Sequence, residues 1–157
     1  MTFIQCLVTV FREQLRPRLE RFPLDPVLLL MRVVIGSVFF LSALTKVEGF
    51  GLAPSTYFLF SEEYALPILP PELAAWLATI GEFSFSLLIW AGLGTRLAAL
   101  GLLTMTAVIQ TFVYPDAWVT HGLWAASLLV LILRGPGVVS VDYLIEKICP
   151  RRGSSRE

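Results

Sequence analysis

The stretch LAAWLATIGEFSFSLLIWAGLGTR, from Leu73 to Arg96, decides how the rest of the chain is read. Before its closing arginine it carries one charged residue, Glu82, near the middle of an apolar run. The run is long enough to cross a hydrocarbon core of roughly 30 Å as a helix. An ionised group at mid-membrane costs at least a few kcal/mol, so it must face protein and find a partner. The stretch therefore implies a membrane span and a neighbour that brings compensating charge to it.

Three more runs satisfy the first requirement. The sequence predicts spans at about Pro26 to Lys46, Pro71 to Gly92, Arg96 to Val113 and Ala117 to Arg134. Hydrophobic residues make up 56% of the 157-residue chain and charged residues 15%, too little polar surface for a soluble domain of this size. The expected fold is an all-α membrane protein: a four-transmembrane-helix bundle with short interfacial helices. Residues 1–25 form a cytoplasmic amphipathic helix in this reading, with Ile4, Leu7, Val8, Phe11 and Leu15 at helical spacing. Residues 26–134 form the bundle, and residues 135–157 an interfacial helix and tail. In that last segment Ser140 is a natural N-cap, and Val141, Leu144, Ile145 and Ile148 share one face. The long loop between the first two spans is broken by Gly and Pro. Within it, STYFLFSEEYAL is expected to rest on the outer surface with Tyr57, Phe58, Phe60 and Leu66 turned down.

Charge sets the direction of threading. Arg12, Arg16, Arg18 and Arg21 precede the first span, Arg96 lies between the second and third, and Arg134, Lys147, Arg151, Arg152 and Arg156 follow the fourth. With four spans these segments share one side, expected to be the cytoplasm, with both termini inside. The opposite loops carry Glu48, Glu62, Glu63 and Asp116. Trp76, Tyr114 and Trp118 suit an outer aromatic belt and Trp90 an inner one. The formal net charge is zero, and nothing suggests nucleic-acid binding. Cys6 and Cys149 lie near opposite ends, there is no C-x-x-C, and His121 is the sole histidine, so neither a structural zinc site nor a thiol relay within this chain is expected.

Glu82 lies ten residues after Glu72, about 15 Å along the helix. Thr79 and Ser86, at i−3 and i+4, share its face. The first span offers two cations, Arg32 and Lys46, fourteen residues apart and on one face with the small residues Gly36 and Ala43. A Glu82–Arg32 pair is the first expectation, because arginine suits buried ion pairs. Against it, side chains tilt toward their helix's N-terminus, which carries Arg32 and Glu82 apart and Lys46 toward Glu82; a network of all three is the alternative. Gln110 and His121 fall in the outer half of the later spans and complete a candidate polar pocket with Lys46 and Glu82. A quinone headgroup needs two carbonyl partners in such a slot, with Phe39, Phe40, Phe83, Phe85 and Phe112 as candidate walls. Each residue also has an ordinary role. Glu82 can hold helix register, Lys46 can snorkel, Gln110 can bridge helices, His121 can sit in the interface, and Arg96 can anchor topology. Asp142 suits the helix dipole, or a pairing with Arg96 or Arg134.

The pieces LLLMRVVIGSVFFLSALTK, IGEFSFSLLIWAGLGTRLAALGLLTM and HGLWAASLLVLILRGPGVVSVD, in this order, resemble the DoxX family of small four-helix bacterial membrane proteins over roughly residues 26 to 145. The resemblance implies a bundle in the bacterial inner membrane with both termini cytoplasmic. It places Arg32, Lys46, Glu82 and Arg96 at the family's recurrent charged positions. Some relatives are subunits of quinone-linked oxidoreductases acting on sulfur compounds, and others look like membrane partners of thiol- or oxidative-stress enzymes. The leading expectation is thus a membrane subunit that passes electrons from a redox partner protein to quinone, with Glu82 as the catalytic carboxylate. The competing one is a non-catalytic scaffold or assembly factor. The chain carries no haem, flavin or iron–sulfur signature, so a redox partner would have to supply the electrons.

Overall fold

The computed structural model describes residues 23–149 apart from 65, 66 and 68. The expected N-terminal helix, the C-terminal tail and Leu66 lie outside these residues. Four long helices form the bundle: α1 (Asp25–Leu44), α3 (Pro71–Ala91), α4 (Thr95–Val108) with its continuation through Val113, and α5 (Trp118–Arg134). Between α1 and α3 lie a short hairpin, β1 (Val47–Glu48) with β2 (Gly51–Leu52), and helix α2 (Pro54–Glu62). Helix α6 (Val141–Ile148) closes the described chain. The four spans of the bundle are 19 to 21 residues long and apolar enough to cross a membrane.

Local chemistry sets the ends. Pro26 and Pro71 open α1 and α3, where a missing N–H costs nothing. Helix α3 stops at Gly92, whose φ of 68° is the left-handed value that glycine adopts freely, and Leu93 N–H donates back to Leu88 O at 2.9 Å. An added Cβ at Gly92 would also lie 2.5 Å from Ser140 Cβ and 2.7 Å from Arg32 Nη2. Gly92→Ala is therefore expected to destabilise the protein by about 2–4 kcal/mol, combining left-handed strain with overpacking. Thermal unfolding in detergent measures it, and an unchanged melting temperature would refute the close contact. Helix α4 ends by widening into a π-turn over Ile109–Val113, and a tight 3-10 turn over Pro115–Ala117 leads straight into α5.

The main core joins Leu28, Ile35 and Phe39 of α1 to Ile89 of α3, Leu102 of α4, and Leu128 and Leu131 of α5. Small residues let the helices approach. A Cβ on Gly36 would lie 2.6 Å from the Trp90 ring, and one on Gly101 would lie 2.5 Å from Phe85. Trp90, expected in an inner belt, thus packs into the α1–α3 contact, and its Nε1 donates to Val33 O at 3.2 Å. Leu30, Val34, Leu41, Leu97, Leu123 and Leu133 point outward, as a bundle solvated by acyl chains requires.

Two local expectations change. The chain after Leu44 leaves the helix and enters the hairpin, so Lys46 sits in the turn and not at a helix end. Helix α2 packs on α3 and buries Thr56 and Phe60, while Tyr57 and Phe58 stay exposed; Phe60 therefore turns into the protein, not toward lipid. Helix α6 is capped by Ser140 as its sequence indicates, with Tyr143 N–H donating to Ser140 Oγ at 3.2 Å. Leu144, Ile145 and Ile148 form its exposed apolar face.

Candidate functional site

Glu82 is 2% exposed and faces the bundle, in line with Thr79 and Ser86, both buried. Its partner is Lys46. The ammonium lies 2.8 Å from Glu82 Oε2 and 3.1 Å from Oε1, and it also donates to Ser42 Oγ at 2.7 Å and Ser42 O at 3.2 Å. Ser42 Oγ in turn donates to Glu82 Oε1 at 3.2 Å. Among the described residues this is the one ion pair between side chains. It joins the turn after the C-terminal end of α1 to the middle of α3. The start of α2 holds the lysine's backbone in place: Thr56 Oγ1 donates to Lys46 O at 2.9 Å, and Ala53 N–H, just before the helix, donates to the same oxygen at 3.0 Å.

Arg32 does not reach Glu82, and the expected Glu82–Arg32 pair is not formed. Its side chain follows the tilt toward the N-terminus of α1 and meets the end of α3. There it donates to four backbone carbonyls: Nε to Ile89 O at 2.8 Å, Nη2 to Trp90 O at 2.6 Å, and Nη1 to Val139 O at 2.5 Å and Pro136 O at 3.2 Å. Two of these lie in the last turn of α3, where a cation is favoured; Ile89 O also accepts from Gly92 N–H at 3.1 Å. Asp142 does not sit within ion-pairing distance of Arg96 or Arg134 among the described residues. It crosses instead to α4, where Oδ1 and Oδ2 accept from Gly94 N–H at 2.7 Å and Thr95 N–H at 3.0 Å. Asp25 Oδ1 accepts from Val138 N–H at 2.8 Å. The Arg32 end of the bundle is thus tied by a guanidinium and two carboxylates, all bonded to backbone.

A cavity of about 580 Å³ lies beside the ion pair. Ser42, Lys46 and Glu82 form its polar wall, and Phe60, Tyr64, Phe85 and Met105 are among its apolar and aromatic residues. Its rim includes Leu77, Ile80, Ser84 and Thr104, which are exposed on the outer faces of α3 and α4. These exposed residues come from both α3 and α4, so the cavity is open to the outside between the two helices. The π-turn contributes Ile109 and Val113 to the same wall. Of the five phenylalanines expected as walls, only Phe85 is in place. Phe40 stacks on Phe83 and Trp90, Phe39 on Trp124, and Phe112 is exposed.

Gln110 and His121 do not join this cavity. They pair with each other, Gln110 Oε1 to His121 Nδ1 at 2.7 Å, while Gln110 Nε2 donates to Pro115 O at 2.6 Å. That second bond orients the amide, so His121 Nδ1 carries the proton. The turn between α4 and α5 brings them together, and a short helix–helix loop offers little sequence signal for it. Sequence reasoning also missed Ser42, Phe60 and Tyr64. Ser42 is at i−4 from Lys46, a spacing that hints at the contact. Tyr64 stacks on Phe60 and Tyr114 at the cavity mouth, and Tyr114 Oη donates to Glu63 Oε2 at 3.2 Å. Burial, then its neighbours Tyr114, Glu63 and Glu82, hold the Tyr64 hydroxyl above its ordinary value, so it stays a protonated phenol.

Four membrane-length apolar helices around one buried ion pair define a small multi-pass α-helical membrane protein. The family model described as DoxX matches residues 27–115, more than half of the chain, and the chain belongs to the DoxX family. A protein of Haemophilus influenzae described only as uncharacterized is 27% identical over 135 residues, covering 80% of this chain and 87% of the relative. No solved structure matches the chain.

Proposed function

We propose that this protein is the membrane subunit of an oxidoreductase system, set in the bacterial inner membrane with both termini cytoplasmic, and that its side-opening cavity takes a quinone from the lipid phase. The observation that supports this is the cavity itself: largely apolar, open between α3 and α4, and provided with one ammonium and one carboxylate in its wall. Its volume is in the range of small-molecule sites, and a lipid-soluble ligand enters such a site without crossing water. Lys46 turns one N–H from Ser42 O, its longest contact at 3.2 Å, to a ring carbonyl, Glu82 holds charge beside it and can take or give a proton, and Phe60, Tyr64 and Phe85 exclude water. A bound quinone would supply two-electron chemistry, and a separate redox protein would supply the electrons.

The test obstructs the opening without touching the charges. Ser84 lines the cavity yet is exposed, so Ser84→Phe is expected to fold normally and to lower quinone affinity in lipid nanodiscs about fivefold or more, a loss on the scale of one buried methylene. Equal affinity in both proteins, or no quinone binding by either, ends this reading.

A second reading has its own support. The Lys46 ammonium and the Glu82 carboxylate already satisfy each other and Ser42, which is what a purely structural ion pair requires. The protein would then be a scaffold or assembly factor for a partner enzyme, and co-purification of that enzyme without any quinone turnover would favour this reading over the first.

A further inference from the structure

A second cavity, of about 640 Å³, lies at the opposite end of the bundle from Lys46, between the start of α4, the end of α5 and helix α6. Two arginines line it, Arg96 in the first turn of α4 and Arg134 in the last turn of α5. The Arg96 guanidinium packs at 3.7–3.8 Å from the Cβ position of Gly135, the residue after Arg134. Both arginines are exposed, and among the described residues neither has a carboxylate within ion-pairing distance.

Three acids also line this cavity, none of them within ion-pairing distance of either arginine among the described residues. Asp25 and Asp142 are spent on backbone N–H groups, each at the N-terminal end of a helix whose dipole compensates a negative charge. Glu146 remains, on α6. Thr95 adds a polar group of its own. It lines the cavity, and its hydroxyl is buried with no hydrogen-bond partner. A buried hydroxyl left unmatched is a lost hydrogen bond, and rotation of the side chain toward the cavity would let a ligand acceptor restore it.

We propose that this recess binds a phosphate group, and that the group belongs to an anionic membrane lipid. Two guanidiniums on neighbouring helix ends match the oxygens of a phosphodiester. Ile145 of α6 lines the same recess and belongs, with Leu144 and Ile148, to an exposed apolar face that gives acyl chains a surface to lie against. Basic pockets between helices on the cytoplasmic side hold lipid headgroups in this way.

The experiment uses the full chain in detergent micelles titrated with phosphatidylglycerol or phosphatidylcholine, with bound lipid counted by native mass spectrometry. The wild type is expected to prefer phosphatidylglycerol. The double variant Arg96→Gln/Arg134→Gln is expected to lose that preference by about fivefold per arginine removed. Lys147→Gln removes one positive charge outside the recess, and the preference is expected to change by less than about twofold. Equal binding of the two lipids by wild type, or an unchanged preference in the double variant, overturns the proposal. So does an equal loss from Lys147→Gln, which would mark a diffuse surface charge effect. Binding of inorganic phosphate at micromolar concentration, with no lipid preference, keeps the two arginines as a phosphate site but overturns the lipid assignment. Because the exposed arginines carry no core packing, the melting temperature of the double variant without added lipid is expected to match wild type; a collapse there would show them to be structural and overturn the proposal as well.

Discussion

Replacing Lys46 with Met is expected to cost about 3–5 kcal/mol, the largest effect of any single substitution at the ion pair. The variant leaves Glu82, 2% exposed, with Ser42 Oγ as its remaining donor, and it leaves Ser42 Oγ without the ammonium it accepts from. The penalty is chiefly that of a charge stranded in low dielectric, more than that of a lost attraction. The double variant Lys46→Met/Glu82→Gln removes both charges and keeps the volumes similar, so it is expected to return to within about 1–2 kcal/mol of wild type. Thermal unfolding of the purified proteins in one detergent gives all three values, and the cycle isolates the coupling. If Lys46→Met is as stable as wild type, the pair contributes nothing and the proposed site loses its anchor. The same double variant also separates the two functional readings. Restored stability with quinone binding still lost favours a site; restored stability with full partner assembly favours a scaffold.

What could be read in advance follows from the range over which each force acts. The four spans are set by runs of about twenty apolar residues and by the prolines and glycines that bound them, all local in sequence, and they were legible. So was the inward turn of Glu82, since a carboxylate at mid-membrane has nowhere else to go. Its choice of partner was not settled by charge, which favoured Arg32 and Lys46 alike. It was settled by side-chain tilt, which sends Arg32 to the end of α3, and by the turn after Leu44, which folds Lys46 back onto Ser42. The hairpin that fixes that turn rests on two residues per strand, too few to show as a period-two pattern. Asp142 shows a different limit. Its place at the start of α6 suggested a role for its own helix, yet it caps α4, more than forty residues earlier. Capping across the chain depends on how helices dock, and no local window contains that. Gln110 and His121 were assigned to the wrong neighbour, because the π-turn at Ile109–Val113 rotates the end of α4 in a way a regular helix count does not anticipate.

The Arg32 clamp carries the second large effect. Arg32→Met is expected to destabilise the protein by about 3–5 kcal/mol, comparable to breaking a buried ion pair although no carboxylate is its partner. The guanidinium is 2% exposed and spreads its donors over Ile89 O and Trp90 O on one side and Pro136 O and Val139 O on the other. Each of these carbonyls loses a charge-assisted bond, worth about 1.5–3 kcal/mol before any relaxation, although Ile89 O keeps its bond from Gly92 N–H. Arg32→Lys is expected to recover less than half of the loss, because a single ammonium cannot bridge two segments as a planar fork does. The damage should also be directional. Arg32 joins the end of α3 to the chain that leads into α6, so amide hydrogen exchange over residues 136–148 is expected to rise before exchange in α4 or α5 does. The Asp142 and Asp25 caps remain in the variant and limit the opening to that end. A uniform rise in exchange across all four spans would instead mean that Arg32 holds the whole bundle together, and full stability in Arg32→Met would mean that the four bonds do not hold the α3–α6 junction at all.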